Sequence, residues 1–319
     1  MSTLNAVTAP SDQKPQGRTL LFAIITITVW SSAFPAIRVG LTAFNPFHVA
    51  LLRYLTASAV LAVYAVITRM PLPRRADLPA LALSGLVGFT IYNALLNWGE
   101  MIVPSAVASF IIASAPVFIA LFATIFLHER LRVFGWLGIG ISFIGVTVIA
   151  FSSGTGFQLE PHALIIVVAA LAQTFYTVRQ KPLLKRYTPV QFTAYSIWFG
   201  TLFLLVFAPG LPQEIQNAPL NTLVAVVYLG IFPGAIGYIT WSVVLSRMPA
   251  SIAASLLYVV PAIALIIAWL WLGELPLPVA IAGGVLVVIG VITVNTLGRQ
   301  RNAAVVLTTP VPSIADIQR

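Results

Sequence analysis

Ten stretches of this 319-residue chain run free of charge for close to, or beyond, the length of a bilayer-spanning helix. A hydrocarbon core of about 30 Å takes about 20 helical residues to cross. The runs are 19–37, 54–68, 78–99, 101–127, 133–159, 161–178, 187–213, 215–246, 248–273 and 275–298. The second is short because Arg53 interrupts it, and its span is expected to begin near Pro46. None alternates apolar and polar residues as the strands of a membrane barrel do. Only 8% of residues are charged and 59% are hydrophobic, too little polar surface for a soluble or a disordered chain. The expected fold is an all-α integral membrane protein of ten transmembrane helices.

Orientation follows from the basic residues. With both termini in the cytosol, Lys14, Arg18, Arg69, Arg74, Arg75, Arg130, Arg132, Arg179, Lys181, Lys185, Arg186, Arg247, Arg299, Arg301 and Arg319 lie inside, 15 of the 17. Only Arg38 and Arg53 lie outside, a strong positive-inside bias. The net charge of +9 is therefore read as a topology signal and not as a nucleic-acid footprint. Residues 1–18 form a polar cytosolic tail, the first span reads as an uncleaved signal anchor, and 299–319 form a second cytosolic tail. The expected location is the cell inner membrane.

The sequence also repeats. Residues 104–149 align without gaps on 249–294: Pro104 with Pro249, Pro116 with Pro261, Glu129 with Glu274, Gly138 with Gly283 and Gly145 with Gly290. Two units follow, 19–153 and 160–298. Five spans is an odd number, so the second unit starts on the opposite side of the membrane. The halves are then inverted, an architecture that places a binding site near the midplane between them.

Trp30-Ser31-Ser32-Ala33-Phe34 followed by Arg38 resembles the opening motif of the drug/metabolite transporter superfamily, EamA type. Pro46 and Arg53 are similar to that family's second-span proline and arginine. Leu127-His128-Glu129-Arg130-Leu131 and Leu272-Gly273-Glu274-Leu275 resemble its repeated glutamate signature. The likeness covers about 19–298, and a narrower one is to YddG-type amino-acid exporters. It implies a transporter, with amino-acid export as its activity.

Polar groups facing lipid are costly, so the polar and aromatic residues within spans are expected to line an interior cavity. The candidate substrate-binding residues are Trp30, Ser32, Phe34, Tyr92, Asn93, Asn97, Trp98, Ser114, Gln173, Tyr176, Tyr238, Trp241 and Tyr258. Trp98 also suits an interfacial belt. Pro116 and Pro261 each remove a helical hydrogen bond, from the carbonyls of Ile112 and Leu257, and are the candidate hinges. The glycine pairs are read as close helix contacts. Glu129 and Glu274 are expected to favour the dipole of the helix that follows each. Arg53 either captures a carboxylate or bonds loop carbonyls near the outer face, the second being the expectation.

No Asp or Glu lies in the middle of any span, which points to a facilitator or an exporter working down its substrate's gradient, unless unwound backbone carries the coupling. The shortage of central cations favours an uncharged or zwitterionic substrate over a phosphorylated one. The expected function is amino-acid export, aromatic ones included, by alternating access. The alternatives are transport of another metabolite or drug, such as a nucleotide sugar, or lipid flipping. No enzyme is expected, because no nucleophile, base or carboxylate pair converges. Cysteine is absent, and His48, His128 and His162 lack ligand-spaced neighbours, so neither metal nor cofactor is expected. The expected partners are a small-molecule substrate and the lipid bilayer, with no nucleic acid; the sequence is compatible with a monomer and does not fix the oligomeric state.

Overall fold

The computed structural model describes residues 17–103, 108, 111–113, 115–152, 161–272 and 278–298. They are helical, with short 3-10 and π segments and no strand among them. We label the helices α1 (Gly17–Gly40), α2 (Pro46–Ile67), α3 (Arg75–Glu100), α4 (Ala115–Phe126), α5 (Val133–Ser152), α6 (Pro161–Leu183), α7 (Pro189–Phe207) and α8 (Leu220–Arg247). In α9, Ala250–Ser255 continues through a 3-10 turn at Leu256–Tyr258 into Val259–Leu272, and α10 is Pro278–Leu297. Five of these, α1, α2, α3, α7 and α8, are 19 to 28 residues long and apolar enough to cross a bilayer.

Burial is the reverse of a soluble protein's. Asn93, Asn97, Gln180, Thr193 and Ser196 are fully buried, while Val66, Ile67, Val206 and Leu220 are more than two-thirds exposed. Apolar side chains facing outward and amides facing inward suit a lipid surround.

Helix starts are written locally. The Asn45 side chain accepts from the backbone N–H of Phe47 and of His48, each at 3.0 Å, with Pro46 in the first turn of α2. Thr188 and Gln191 form a capping box on α7, with Pro189 in its first turn. Both are strong N-terminal devices. Two charge-free runs overshoot their helices. The run 187–213 holds α7 only to Phe207, since Gly210 turns the chain at φ +88°. Residues Leu211–Asn217 then form a separate short helix, and α8 starts after Pro219, not at 215. The run 133–159 is helical to Ser152; 153–160 lie outside the described residues.

The glycine pairs make contacts within the chain, between α5 and α10. A Cβ on Gly138 would lie 2.7 Å from the Gly290 carbonyl oxygen, and one on Gly145 would lie 2.6 Å from that of Gly283. The Ser142 hydroxyl donates to the Val287 carbonyl between them at 3.2 Å. Gly138 aligns with Gly283 and Gly145 with Gly290, so each glycine meets the counterpart of the other. The two contacts are thus reciprocal.

The same swap recurs elsewhere. A Cβ on Gly85 of α3 would meet the Ser196 carbonyl and Phe199 of α7, at 2.6 and 2.7 Å. A Cβ on Gly230 of α8 would meet the Arg53 carbonyl and Thr56 of α2, at 2.6 and 2.5 Å. Aligning Pro46 with Pro189 makes Arg53 the counterpart of Ser196 and Thr56 that of Phe199. Matching π segments stand at these glycines: Leu86–Ile91 directly after Gly85 in α3, and Gly230–Ile236 from Gly230 itself in α8.

Polar struts anchor α3 and α8 at their N-terminal ends. Asp77 accepts from Arg186 at 2.7 Å and from the Tyr187 hydroxyl at 2.8 Å, tying α3 to the α6–α7 junction. Glu214 accepts from His48 at 2.7 Å and from the Asn45 backbone and side chain, each at 3.1 Å, tying the short helix before α8 to the start of α2. Burial would raise the Glu214 carboxyl, but the His48 and Asn45 hydrogen bonds outweigh it and hold it below its ordinary value.

Candidate functional site

A cavity opens where α1, α2, α3, α4, α6, α8 and α9 converge. Its atom-free space, open mouth included, is about 730 Å³. The wall is mostly apolar and aromatic. Trp30, Ala33, Phe34 and Ile37 come from α1, Tyr92 and Leu96 from α3, and Tyr238 from α8. Pro116 and Ile119 come from α4, and Leu257, Val260 and Pro261 from α9. Its polar elements include Gln173 of α6 and Arg53 of α2.

Of the residues singled out from sequence, Trp30, Phe34, Tyr92, Gln173 and Tyr238 thus share one wall, with both prolines. Tyr176 and Trp241 form a layer behind it. The Tyr176 ring centroid lies 6.0 Å from that of Tyr238, and Trp241 lies 5.7 Å from Trp30. Tyr258 is fully buried, in the 3-10 turn of α9. Ser32 bonds the Tyr228 hydroxyl at 2.6 Å. Asn93 accepts from Arg53 and donates to the Phe89 carbonyl. Asn97 donates to the Pro46 carbonyl, tying α3 to α2. Trp98 is 41% exposed and packs on Phe47, as a belt residue would. Ser114 lies outside the described residues.

Arg53 was expected to bond loop carbonyls. The structure instead turns it inward. It is 4% exposed, lines the cavity, donates to Asn93 Oδ1 at 3.1 Å and lies 5.4 Å from the Tyr54 ring centroid. A lone arginine in an apolar run gives the depth of the charge but not the direction of the side chain.

Local backbone positions the aromatic wall. The Trp30 indole donates to the Pro233 carbonyl at 3.2 Å, inside the π segment of α8. A Cβ on Gly237 would come within 2.5 Å of the same indole nitrogen, so glycine there admits the ring. Such π turns often mark functional sites. In α9, the 3-10 turn Leu256–Tyr258 comes directly before the turn carrying Pro261. The Ser31 hydroxyl donates to the Val260 carbonyl at 3.0 Å.

An ionic cluster joins the end of α4 to α6 and to the start of α9. Glu129 accepts from the backbone N–H of Ala250 at 2.7 Å and of Ser251 at 3.0 Å, and from the Ser251 hydroxyl at 2.8 Å. Lys181 pairs with Glu129 at 3.5 Å and donates to the carbonyls of Leu245 and Met248. Glu129 therefore caps α9, not the helix that follows it in sequence. It sits beyond the end of α4, and Lys181 lies about two turns beyond Gln173 on α6. The cluster thus ties α4, α6 and α9 together. Glu274 lies outside the described residues.

Residues 17–151 and 161–296 each match the model of the EamA-like transporter family. The chain belongs to the EamA-like transporter family. It is a membrane transporter and not an enzyme. It is 41% identical over 283 residues to a probable terminal-alkyne amino-acid exporter of Streptantibioticus cattleyicolor, covering 88% of this chain and 95% of that protein. It is 43% identical over 267 residues to YdfC, an uncharacterized transporter of Bacillus subtilis, covering 84% and 87%. A solved crystal structure shares the fold, with a TM-score of 0.73 at 21% identity over 89% of this chain and 98% of that one.

Proposed function

We propose that this chain exports amino acids, aromatic ones included, by alternating access through the central cavity. In this reading ten helices cross the cell inner membrane as two inverted halves, 19–153 and 160–298, with both termini in the cytosol. The observation that carries it is the cavity itself: an aromatic wall with a buried arginine. Arg130, Arg132, Arg179, Lys185, Arg186 and Arg247 lie in sequence near the Glu129, Lys181 and Ser251 cluster. The positive-inside rule assigns the cluster to the cytosol; in this reading it holds the cytosolic side shut and leaves the cavity facing outward, the state from which an exporter releases substrate. The probable amino-acid exporter at 41% identity supports the substrate class.

Pro116 and Pro261 stand on the two helices that the cluster joins. Each removes a backbone N–H, and both line the cavity. Bending there opens the cytosolic end when Glu129 releases α9. Release of substrate outward and its capture from the cytosol are then two positions of the same pair of helices.

The test is efflux from proteoliposomes preloaded with labelled leucine and phenylalanine, with and without a pH gradient. Efflux above protein-free vesicles in the absence of a gradient is expected, because no titratable carboxylate lies in the middle of a span. Efflux only with a gradient would contradict the downhill mechanism. Absence of efflux in both conditions would contradict the substrate class.

A further inference from the structure

A buried guanidinium needs compensation, since removing a charge from water costs several kcal/mol unless a partner replaces the lost solvation. Arg53 is 4% exposed. Its one hydrogen-bond partner among the described residues is the neutral Asn93 side chain at 3.1 Å, and its Nε is buried without a partner. No carboxylate among the described residues lies within ion-pair distance of it. Asn93 is itself held by its donation to the Phe89 carbonyl at 3.0 Å. Asn93 therefore aims the guanidinium without neutralising it, and the side chain lines the cavity.

The repeat sharpens the point. Scaffold positions obey it: Gly85 and Gly230, Pro46 and Pro189, and the two π segments all match. The counterpart of Arg53 is Ser196, and the counterpart of Asn93 is Tyr238. The cation is present in one half only. A residue required by the shared scaffold would be expected in both halves, whereas a group that reads one end of an asymmetric ligand is needed once.

Across the same cavity, the Gln173 amide oxygen is buried and has no partner among the described residues. The wall therefore offers a fork of N–H donors with a positive charge and a neutral acceptor, set among aromatic rings. We infer that Arg53, oriented by Asn93, binds the carboxylate of the substrate, and that the Gln173 amide oxygen accepts from its ammonium group. This rests on the amino-acid reading above and adds which residues recognise which end. A guanidinium matches a carboxylate with two parallel hydrogen bonds. A phosphate monoester would bring up to two negative charges to a single cation.

The experiment uses the full chain in proteoliposomes, with exchange of labelled phenylalanine against unlabelled phenylalanine, phenylalaninamide, 3-phenylpropionate and phenyl phosphate. The wild type is expected to prefer phenylalanine to the amide. Arg53→Gln should reduce that preference by roughly tenfold or more, the scale of a lost hydrogen bond to a charged group, and Arg53→Lys should restore part of it. Gln173→Leu should instead narrow the preference for phenylalanine over 3-phenylpropionate, which lacks the amine. An unchanged preference in Arg53→Gln overturns the inference and leaves amino-acid transport standing. So does an equal loss for acid and amide, which is the signature of a structural role. Phenyl phosphate competing better than phenylalanine overturns the carboxylate assignment. A wild type that moves none of the amino acids overturns the transport reading and this one with it.

Discussion

Gly138 and Gly290 pack backbone to backbone, with a Cβ on the first placed 2.7 Å from the carbonyl oxygen of the second. Their counterparts Gly145 and Gly283 meet in the mirrored order. The α5–α10 contact therefore has no room for a methyl group at these glycines, while Gly140 on the same helix has nothing within 4 Å of its own Cβ. Gly138→Ala should lower stability by about 1–3 kcal/mol, the usual cost of overpacking, and Gly140→Ala should leave it near wild type. Thermal unfolding of the two variants in detergent checks the pair. Equal midpoints would contradict the contact.

The Glu129 cluster makes a second prediction. Ser251→Ala removes one hydrogen bond of 2.8 Å and should cost about 1 kcal/mol. Glu129→Gln also takes the carboxylate from Lys181 and from two backbone N–H groups, so it should cost more. The double variant should fall short of the sum, because both changes remove the same bond. Unfolding midpoints for the four proteins decide it. Strict additivity would mean that Glu129 and Ser251 act independently.

Much of this arrangement was legible in the sequence, because lipid imposes simple rules on it. Charge-free runs locate the helices, and fixed-register prolines, glutamates and glycines mark the repeat. Other features depend on spatial contacts that hydropathy does not encode. Glu129 was readable as a helix cap, but its helix is α9, over a hundred residues away. Arg53 meets Asn93 only because α2 packs on α3. Charge-free counting carried 187–213 and 215–246 past their helix ends, since uncharged loop residues look the same as helical ones. The π segments of α3 and α8 rearrange hydrogen bonds without altering composition.

Pro261 supplies a kinetic prediction. Alanine there returns a donor within reach of the Leu257 carbonyl and should stiffen α9. Pro261→Ala is expected to express and unfold like the wild type while turnover drops several-fold. Exchange rates in proteoliposomes, normalised to incorporated protein, measure this. Normal turnover would remove the proline from the mechanism.

The Glu214 strut should be sensitive to acid. Its folded-state carboxyl is held below the ordinary 4.5 by the His48 and Asn45 hydrogen bonds, against the effect of burial. It thus contributes stability that is fully present above that value and is lost as pH falls through the lowered one. Unfolding midpoints of Glu214→Gln should lie below wild type at neutral pH and converge on it in acid. A gap that persists unchanged at low pH would show that charge is not what holds the strut.

The central claim is that one cavity faces the two sides of the membrane in turn. The chain has no cysteine, so a single Leu257→Cys, placed in the cavity wall, reports without background. Labelling with an impermeant maleimide in oriented vesicles, with and without phenylalanine, is the most direct measurement. The account predicts labelling from the outer face alone without substrate, and a growing share from the cytosolic face when phenylalanine drives turnover. Labelling confined to one face under every condition, or equal from both faces at once, would contradict alternating access through this cavity.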